Sequence, residues 1–492
     1  MMPIPNPFLR RACLLGAFLA VTLPAAPAAA QTTRLTLADA IRLATDQGEA
    51  LEIARAGESR ADAEVTRARS LWLPQINLLG GYTRTLASEF NIALDDLGTP
   101  CPPLSINPAA PITDRVGELE RAANCGAIGP GFNFGDLPFG QRNAYQMTLS
   151  FSQAVYNGGR ISAQQRQAEL SQRLAALGMT STEAALTLDV TRAFYDAALA
   201  DRLVVIAESV AAQAAAAFEQ TRVSFEAGRQ PEFELLRAQV ARDNERPAVI
   251  RRRAERDVAY LRLRHLLELP ADAVIELDVD LDAASLAAPA PFASLLESAP
   301  GAGPAPDRAS VQEAAALVAV RDAAVTVARA ERLPSINLSS TLGRVGYPSD
   351  GFIPAPGDFR TNWSVGATVA MPLFEGGRLK ANELSARADL AEAEARLRQA
   401  RELADLDAAT ARQDLIAAEA VWAASAGTVQ QAERAYQIAE LRNREGLSTQ
   451  LELSDSRLSL QVAQANRAQA ARDLQVARAR VALLPSLPVA AR

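Results

Sequence analysis

Aromatic residues make up only 5% of this 492-residue sequence, there is a single histidine, His265, and there are three cysteines. Each shortage removes a class of structure or function. So few rings do not fill a large globular core, and the abundant alanine suits long helices packed closely side by side. His265 stands in the arginine-rich "RLRHLLEL" with no second histidine or acidic cluster at ligand spacing, so it reads as a surface helix residue and no metal site is expected. No Ser/His/Asp set can be assembled, and no phosphate-binding glycine loop follows a strand. The chain therefore does not read as an enzyme, and no cofactor is expected. A net charge of −7 argues against nucleic acid as a partner.

Long apolar runs are missing too. The most continuous, "ACLLGAFLAVTL", has 12 residues, follows Arg10 and Arg11, and leads into "PAAPAAAQ", a small-residue cleavage site after Ala30. Residues 1–30 are thus expected to be a secretory signal peptide, with twin-arginine export as the less well matched route. A spanning helix needs roughly 20 apolar residues, and no later stretch of that length is free of charge, so no transmembrane helix is expected. Loss of Arg10 and Arg11 with the signal takes the net charge from −7 to −9. Cys13 lies at the start of the apolar run, out of place for lipid attachment, and leaves with the signal. Cys101 and Cys125 share a Pro/Gly-rich stretch of an exported chain, where a loop disulfide is expected and two free thiols are the alternative.

What is present is written twice. "LPQINLLGGYTR" from Leu73 is echoed by "LPSINLSSTLGR" from Leu333, "VYNGGRISA" from Val155 by "LFEGGRLKA" from Leu373, and "FEAGRQPEFEL" from Phe225 by "NREGLSTQLEL" from Asn443. Gly158 to Gly376 and Gly228 to Gly446 share an offset of 218 residues, whereas Pro74 and Pro334 lie 260 apart, so the first half carries 42 extra residues between its strands. Each half parses as helix, strand, loop, strand, long helix, turn, second long helix. The expected divisions are a first repeat over 31–270 with a long loop at 85–142 and a hairpin turning at 228, a linker over 271–306, a second repeat over 307–485 turning at 446, and a tail over 486–492.

The strands alternate with period two. Ile76, Leu78 and Tyr82 oppose Gln75, Asn77 and Thr83; Tyr145, Met147, Leu149, Phe151 and Val155 oppose Gln146, Thr148, Ser150, Ser152 and Ala154. Ile336, Leu338 and Leu342 oppose Ser335, Asn337, Ser339 and Thr341, and Trp363, Val365, Val369 and Met371 oppose Asn362, Ser364 and Thr368. Strands of about ten residues cross a membrane when tilted, yet a soluble sandwich alternates equally well. The helices favour the membrane reading. Residues 160–226 hold no proline and would rise roughly 100 Å at about 1.5 Å per residue. Leu390, Ala393, Leu397, Ala400 and Ala404 form a loose coiled-coil-like seam that needs neighbours along its length. Four strands cannot close a barrel, whose smallest membrane form has about eight, so several chains must share one. The glycine pairs Gly158/Gly159 and Gly376/Gly377 fall where strand becomes helix, a junction that needs unusual backbone angles unless it is an ordinary flexible turn.

These features together resemble the TolC-like outer-membrane efflux proteins. The likeness covers the mature chain and rests on the duplicated halves, the "YNGGR" and "EGGR" junctions, "HLLELP" ending the first repeat, with Glu268 where the family has Gly, and the helix turns around Gly228 and Gly446. It implies a membrane β-barrel joined to a long α-helical barrel: a homotrimer with a single 12-stranded barrel, three chains of four strands, set in outer-membrane lipid above a periplasmic tunnel. It further implies docking onto a periplasmic adaptor protein and an inner-membrane transporter, as a passive exit duct for efflux or type I secretion. A periplasmic coiled-coil adaptor is the alternative, and the two sets of alternating strands argue against it.

The resemblance also implies roles for residues. The turns at Gly228 and Arg229 and at Gly446 and Leu447 would contact the adaptor at the periplasmic tip. Glu452 and Asp455 match acidic residues that ring the narrow entrance; acids near a helix start also simply complement its dipole. Glu234 matches the family's acidic gate partner, while the Tyr and Arg partners align with Asn443 and Ser448. That departure predicts a weaker closed state, or one held by other groups such as Arg229, Arg442 or Arg444.

Overall fold

The computed structural model describes residues 33–87, 102–124, 142–270, 272–283, 285–298, 308–348 and 352–489. The signal peptide expected at 1–30, Cys101 and Cys125 lie outside the described residues. In chain order the elements are β1 (Thr33–Leu35), α1 (Leu37–Gln47), α2 (Glu49–Ser70), β2 (Gln75–Arg84), α3 (Ile112–Asn124), β3 (Asn143–Tyr156), α4 (Arg160–Glu226), α5 (Glu232–Leu266), β4 (Ile275–Leu277), α6 (Ala293–Ser298), α7 (Ala309–Ala330), β5 (Ser335–Gly346), β6 (Phe359–Ala370), α8 (Arg378–Arg444) and α9 (Gln450–Leu483). Corresponding helices have matching lengths: 22 residues in α2 and α7, 67 in α4 and α8, and 35 against 34 in α5 and α9. No described helix is long and apolar enough to cross a membrane.

By contacts the chain divides into two compact units, each drawing on both halves of the sequence. One comprises Met1–Glu49, Glu183–Ala302 and Ala409–Leu484. Its core gathers Phe194, Val190 and Thr191 of α4, Leu263 of α5 and Leu474 of α9, all under 2% exposed. The three-residue strands β1 and β4 pair in parallel within it. The other comprises Ala50–Thr182, Gly303–Ala408 and Pro485–Arg492. Here alanines form the seams, as Ala393, Ala404 and Ala408 do along α8. Small side chains let helix backbones approach closely, which explains how so few aromatics suffice. Arg308, 2% exposed, crosses to α8 with a 2.7 Å ion pair to Asp407 and a 2.9 Å bond to the Ala404 carbonyl.

The sheet of this second unit has the order β2-β3-β5-β6, antiparallel throughout. Residues paired across an antiparallel ladder share a face. The pairs Ile76↔Phe151, Leu78↔Leu149, Leu149↔Leu342, Leu342↔Trp363 and Ile336↔Val369 therefore build one apolar face. Asn77↔Ser150, Ser150↔Thr341 and Thr341↔Ser364 build a polar one. Leu79, opposite Thr148, is an apolar residue on that polar face. The alternation expected through Val155 stops one residue early. A register shift between Ala154 and Tyr156 hands the position opposite Ile336 to Tyr156 and leaves Val155 unpaired, as a bulge does.

Every glycine expected at a junction or helix turn has a left-handed backbone: Gly158, Gly159, Gly228, Gly376, Gly377 and Gly446 have φ between +60° and +90°. They do not stand in equal surroundings. A Cβ on Gly158 would lie 2.5 Å from the Leu333 Cβ, while one on Gly376 would meet nothing within 4 Å. Strain alone costs about 1–2 kcal/mol for a non-glycine residue there. Gly376→Ala should therefore destabilise by about that amount, and Gly158→Ala by clearly more. Thermal unfolding of the two variants in detergent checks this; equal losses would contradict it.

Candidate functional site: the paired helix turns

Both long hairpins reverse through the same backbone device. At the end of α4, Gly228 N–H donates to the Phe225 carbonyl and Arg229 N–H to the Ser224 carbonyl, each 2.8 Å. At the end of α8, Gly446 N–H donates to Asn443 at 3.0 Å and Leu447 N–H to Arg442 at 2.8 Å. These are the two bonds of a Schellman cap, which needs a left-handed residue after the helix and so selects glycine. The end of α5 repeats the pattern with a non-glycine residue. Glu268, at φ 54°, takes the left-handed position that Gly228 and Gly446 fill in the other two turns. Its carboxylate accepts the N–H of Glu49 at the start of α2, a contact that glycine lacks. His265, in the last turn of α5, is exposed.

The next helix starts differently in the two repeats. Thr449 caps α9 by accepting the Glu452 N–H at 3.4 Å, whereas Pro231 before α5 offers no side-chain cap. The uncapped start of α5 carries Glu232 and Glu234, which favour the positive end of a helix dipole. Glu234 instead reaches across, and its Oε2 accepts the backbone N–H of Gln450 at 3.4 Å. Asn443 donates to the Ser448 carbonyl at 3.2 Å. The three gate positions read from the sequence, Glu234, Asn443 and Ser448, thus come together around Gln450, without a side-chain ion pair among them.

Gln450 and its partner Thr221 escaped the sequence reading. Gln450 is 7% exposed, and its Nε2 donates to Thr221 Oγ1 at 2.5 Å and to Asn443 Oδ1 at 3.4 Å. Thr221, on α4, is 3% exposed and spends its own hydrogen on the Ala217 carbonyl at 2.8 Å. The available signal was a polar residue at the head of the buried α9 stripe that continues through Leu453, Arg457 and Leu460. The Ser448 hydroxyl is buried without a hydrogen-bond partner among the described residues.

The two acids proposed for an entrance ring differ in their surroundings. Glu452 Oε1 lies 3.6 Å from Arg442 Nη1, both about half exposed. Such a pair is worth about 0–1 kcal/mol and weakens with salt. Asp455, one turn further, is exposed and has no ion pair among the described residues. Of the other arginines weighed there, Arg444 pairs with Glu440 at 3.5 Å and Arg229 is exposed. Leu447, at the tip of the second turn, is 71% exposed.

A second concave feature in the same unit is an open groove of about 620 Å³ lined by Asp201, Arg256, Tyr260, Arg264, Asp272 and Ile275. Burial raises the Asp201 carboxyl above its ordinary value even though the Tyr260 hydroxyl donates to it. Burial, with Asp201 beside it, also raises the Tyr260 hydroxyl. Acids and arginines are interleaved in this groove, and no group of three or more metal-ligating side chains occurs among the described residues. The folded chain holds the Asp201 proton more tightly than the unfolded chain, so this group stabilises at acid pH and that contribution is lost as pH rises above the ordinary carboxylate range. Asp201→Asn, whose amide oxygen still accepts from Tyr260, should raise the melting temperature by a few degrees at neutral pH, with the gain shrinking toward pH 4. A gain that is independent of pH would contradict this.

Comparison with known proteins agrees with this geometry. The outer membrane efflux protein family matches residues 121–268 and 306–485. No curated protein sequence matches the chain significantly. Among solved structures the fold resembles the outer membrane protein VceC from Vibrio cholerae, with TM-score 0.68, 18% identity, and 91% of this chain and 96% of that one covered. It also resembles the outer membrane channel CmeC from Campylobacter jejuni, with TM-score 0.69, 14% identity, and 93% and 87% covered. The MtrE outer membrane channel of Neisseria gonorrhoeae gives TM-score 0.65, 16% identity, and 92% and 89% covered.

Proposed function

The chain belongs to the outer membrane efflux protein family and serves as an outer-membrane exit duct reaching into the periplasm; we propose that three copies build that duct by sharing one barrel. The observation that carries this is the four-stranded sheet, apolar on one face, polar on the other, with β2 and β6 as its open edges. In lipid each unpaired backbone group costs several kcal/mol. Edge strands of 10 and 12 residues cannot be left open there. Pairing β6 of one copy with β2 of the next removes every edge, and three copies supply 12 strands. The apolar face then meets lipid and the polar face a water-filled lumen. The aromatic cluster of Tyr82, Tyr145 and Phe352 at one end of the sheet and Trp72 at the other suit the two interfacial belts of such a barrel.

The equal helix lengths of the two repeats support a tunnel wall built twice per chain, with the glycine junctions at the membrane's inner surface. The exposed turns at Gly228, Arg229, Gly446 and Leu447 suit an adaptor contact, and the inner-membrane transporter acts through it. The duct works without chemistry of its own. Its selectivity comes from charge: Glu452 and Asp455 from three copies would focus negative potential on the axis and favour cations. The family match spans β3, β5 and β6, which a periplasmic adaptor has no use for. For the external loop we propose that Cys101 and Cys125 are disulfide-bonded. Arg121, four residues before Cys125, donates from Nη2 to the carbonyl of Pro102, which follows Cys101, at 3.4 Å.

Spin labels test the barrel. Positions 147, 149 and 151 should be accessible to oxygen in lipid and 148, 150 and 152 to a water-soluble relaxant; loss of that alternation would refute the membrane sheet. In planar bilayers Glu452→Ala with Asp455→Ala should reduce cation preference several-fold, and an unchanged reversal potential would remove the acidic ring.

A further inference from the structure

We propose that Gln450 is the positioning residue that keeps the paired helix turns of each protomer closed, as the hub of a clasp whose side-chain donors are uncharged. The inference rests on the duct reading and deepens it. Three other helices converge on this first residue of α9. Its Nε2 donates to Thr221 of α4 at 2.5 Å and to Asn443 of α8 at 3.4 Å, and its backbone N–H donates to Glu234 of α5 at 3.4 Å. Asn443 ties the turn back on itself through the Ser448 carbonyl. A primary amide has two N–H bonds to give, and both are used within the protomer.

Burial decides which contacts hold. Gln450, Thr221 and Asn443 are 7%, 3% and 9% exposed, so water does not compete for their bonds, and removing one partner leaves a buried polar group unpaired. The nearby Arg442–Glu452 pair stands half exposed at 3.6 Å, in reach of screening ions. Closure should therefore depend on Gln450 and only slightly on Arg442. Glu234 keeps a gating role, but its partner is the backbone N–H at the start of α9, which every substitution of Gln450 except proline keeps. The clasp works because Gln450 offers donors to Thr221 and Asn443 while leaving Glu234 the only carboxylate in contact with it.

Single-channel recording of the full-length protein in planar bilayers tests this. Gln450→Glu removes both side-chain donors at neutral pH and places a second carboxylate beside Glu234, so closed-state leak should rise several-fold. Gln450→Leu, which keeps the seam apolar and the protein folded, should leak to a lesser extent, and Arg442→Ala should resemble wild type. Adding Glu234→Gln to Gln450→Glu removes the carboxylate pair but not the loss of donors, so leak should fall to the level of Gln450→Leu, a charge-dependent change that a purely structural role would not give. Wild-type leak in Gln450→Glu, or a double variant as leaky as the single one, overturns the clasp. A wild-type protein that forms no pores overturns the duct reading and the clasp with it.

Discussion

Backbone N–H and C=O groups along β2 and β6 have partners on one side only, and the rest of the architecture answers to that fact. Water would satisfy those edges, hydrocarbon does not. A sheet with one face of Ile76, Leu78, Leu149, Leu342, Trp363 and Val365 and the other of serine, threonine and asparagine is suited to hydrocarbon on one side and water on the other. Only a closed ring meets both demands, and one chain contributes too few strands to close it. The proposed sharing of one barrel would bring a shared tunnel wall with it, because each strand pair leads directly into a 67-residue helix.

The helices depend on left-handed residues at their ends. Six glycines supply them at the junctions and turns, and Glu268 supplies a seventh such position. For a non-glycine residue that conformation costs about 1–2 kcal/mol. The bond from Glu49 N–H to the Glu268 carboxylate offsets part of it and joins the end of one hairpin to the start of α2. Between these ends, alanine seams permit packing without aromatic bulk, and buried polar residues such as Arg308 and Gln450 fix which segments meet.

Much of this was legible in residue order. Alternation along 75–84 and 335–370 gave the strands and their faces because a period of two survives in any sheet. Repeated glycines at a shared offset gave the junctions and turns because no other residue adopts those angles cheaply. What stayed hidden was set by tertiary contact. The bulge at Val155 depends on the register against Ile336, and the parallel pairing of β1 with β4 joins residues far apart in sequence. Helix α3 carries apolar residues at helical spacing, Ile112, Val116 and Leu119, inside a stretch expected to be a loop, while β4, within the linker, is too short to carry a periodic signal. At the tip, position in the sequence singles out Glu234, Asn443 and Ser448 but not Gln450, which bonds to the first two. Its importance comes from burial against Thr221, 229 residues away.

The account stands or falls on how many chains make one barrel. Native mass spectrometry of the protein extracted from outer membranes in mild detergent measures this directly. The account predicts a species of three chains that persists at activation energies which strip detergent. A stable monomer that remains embedded in the membrane with its strand edges open would contradict it.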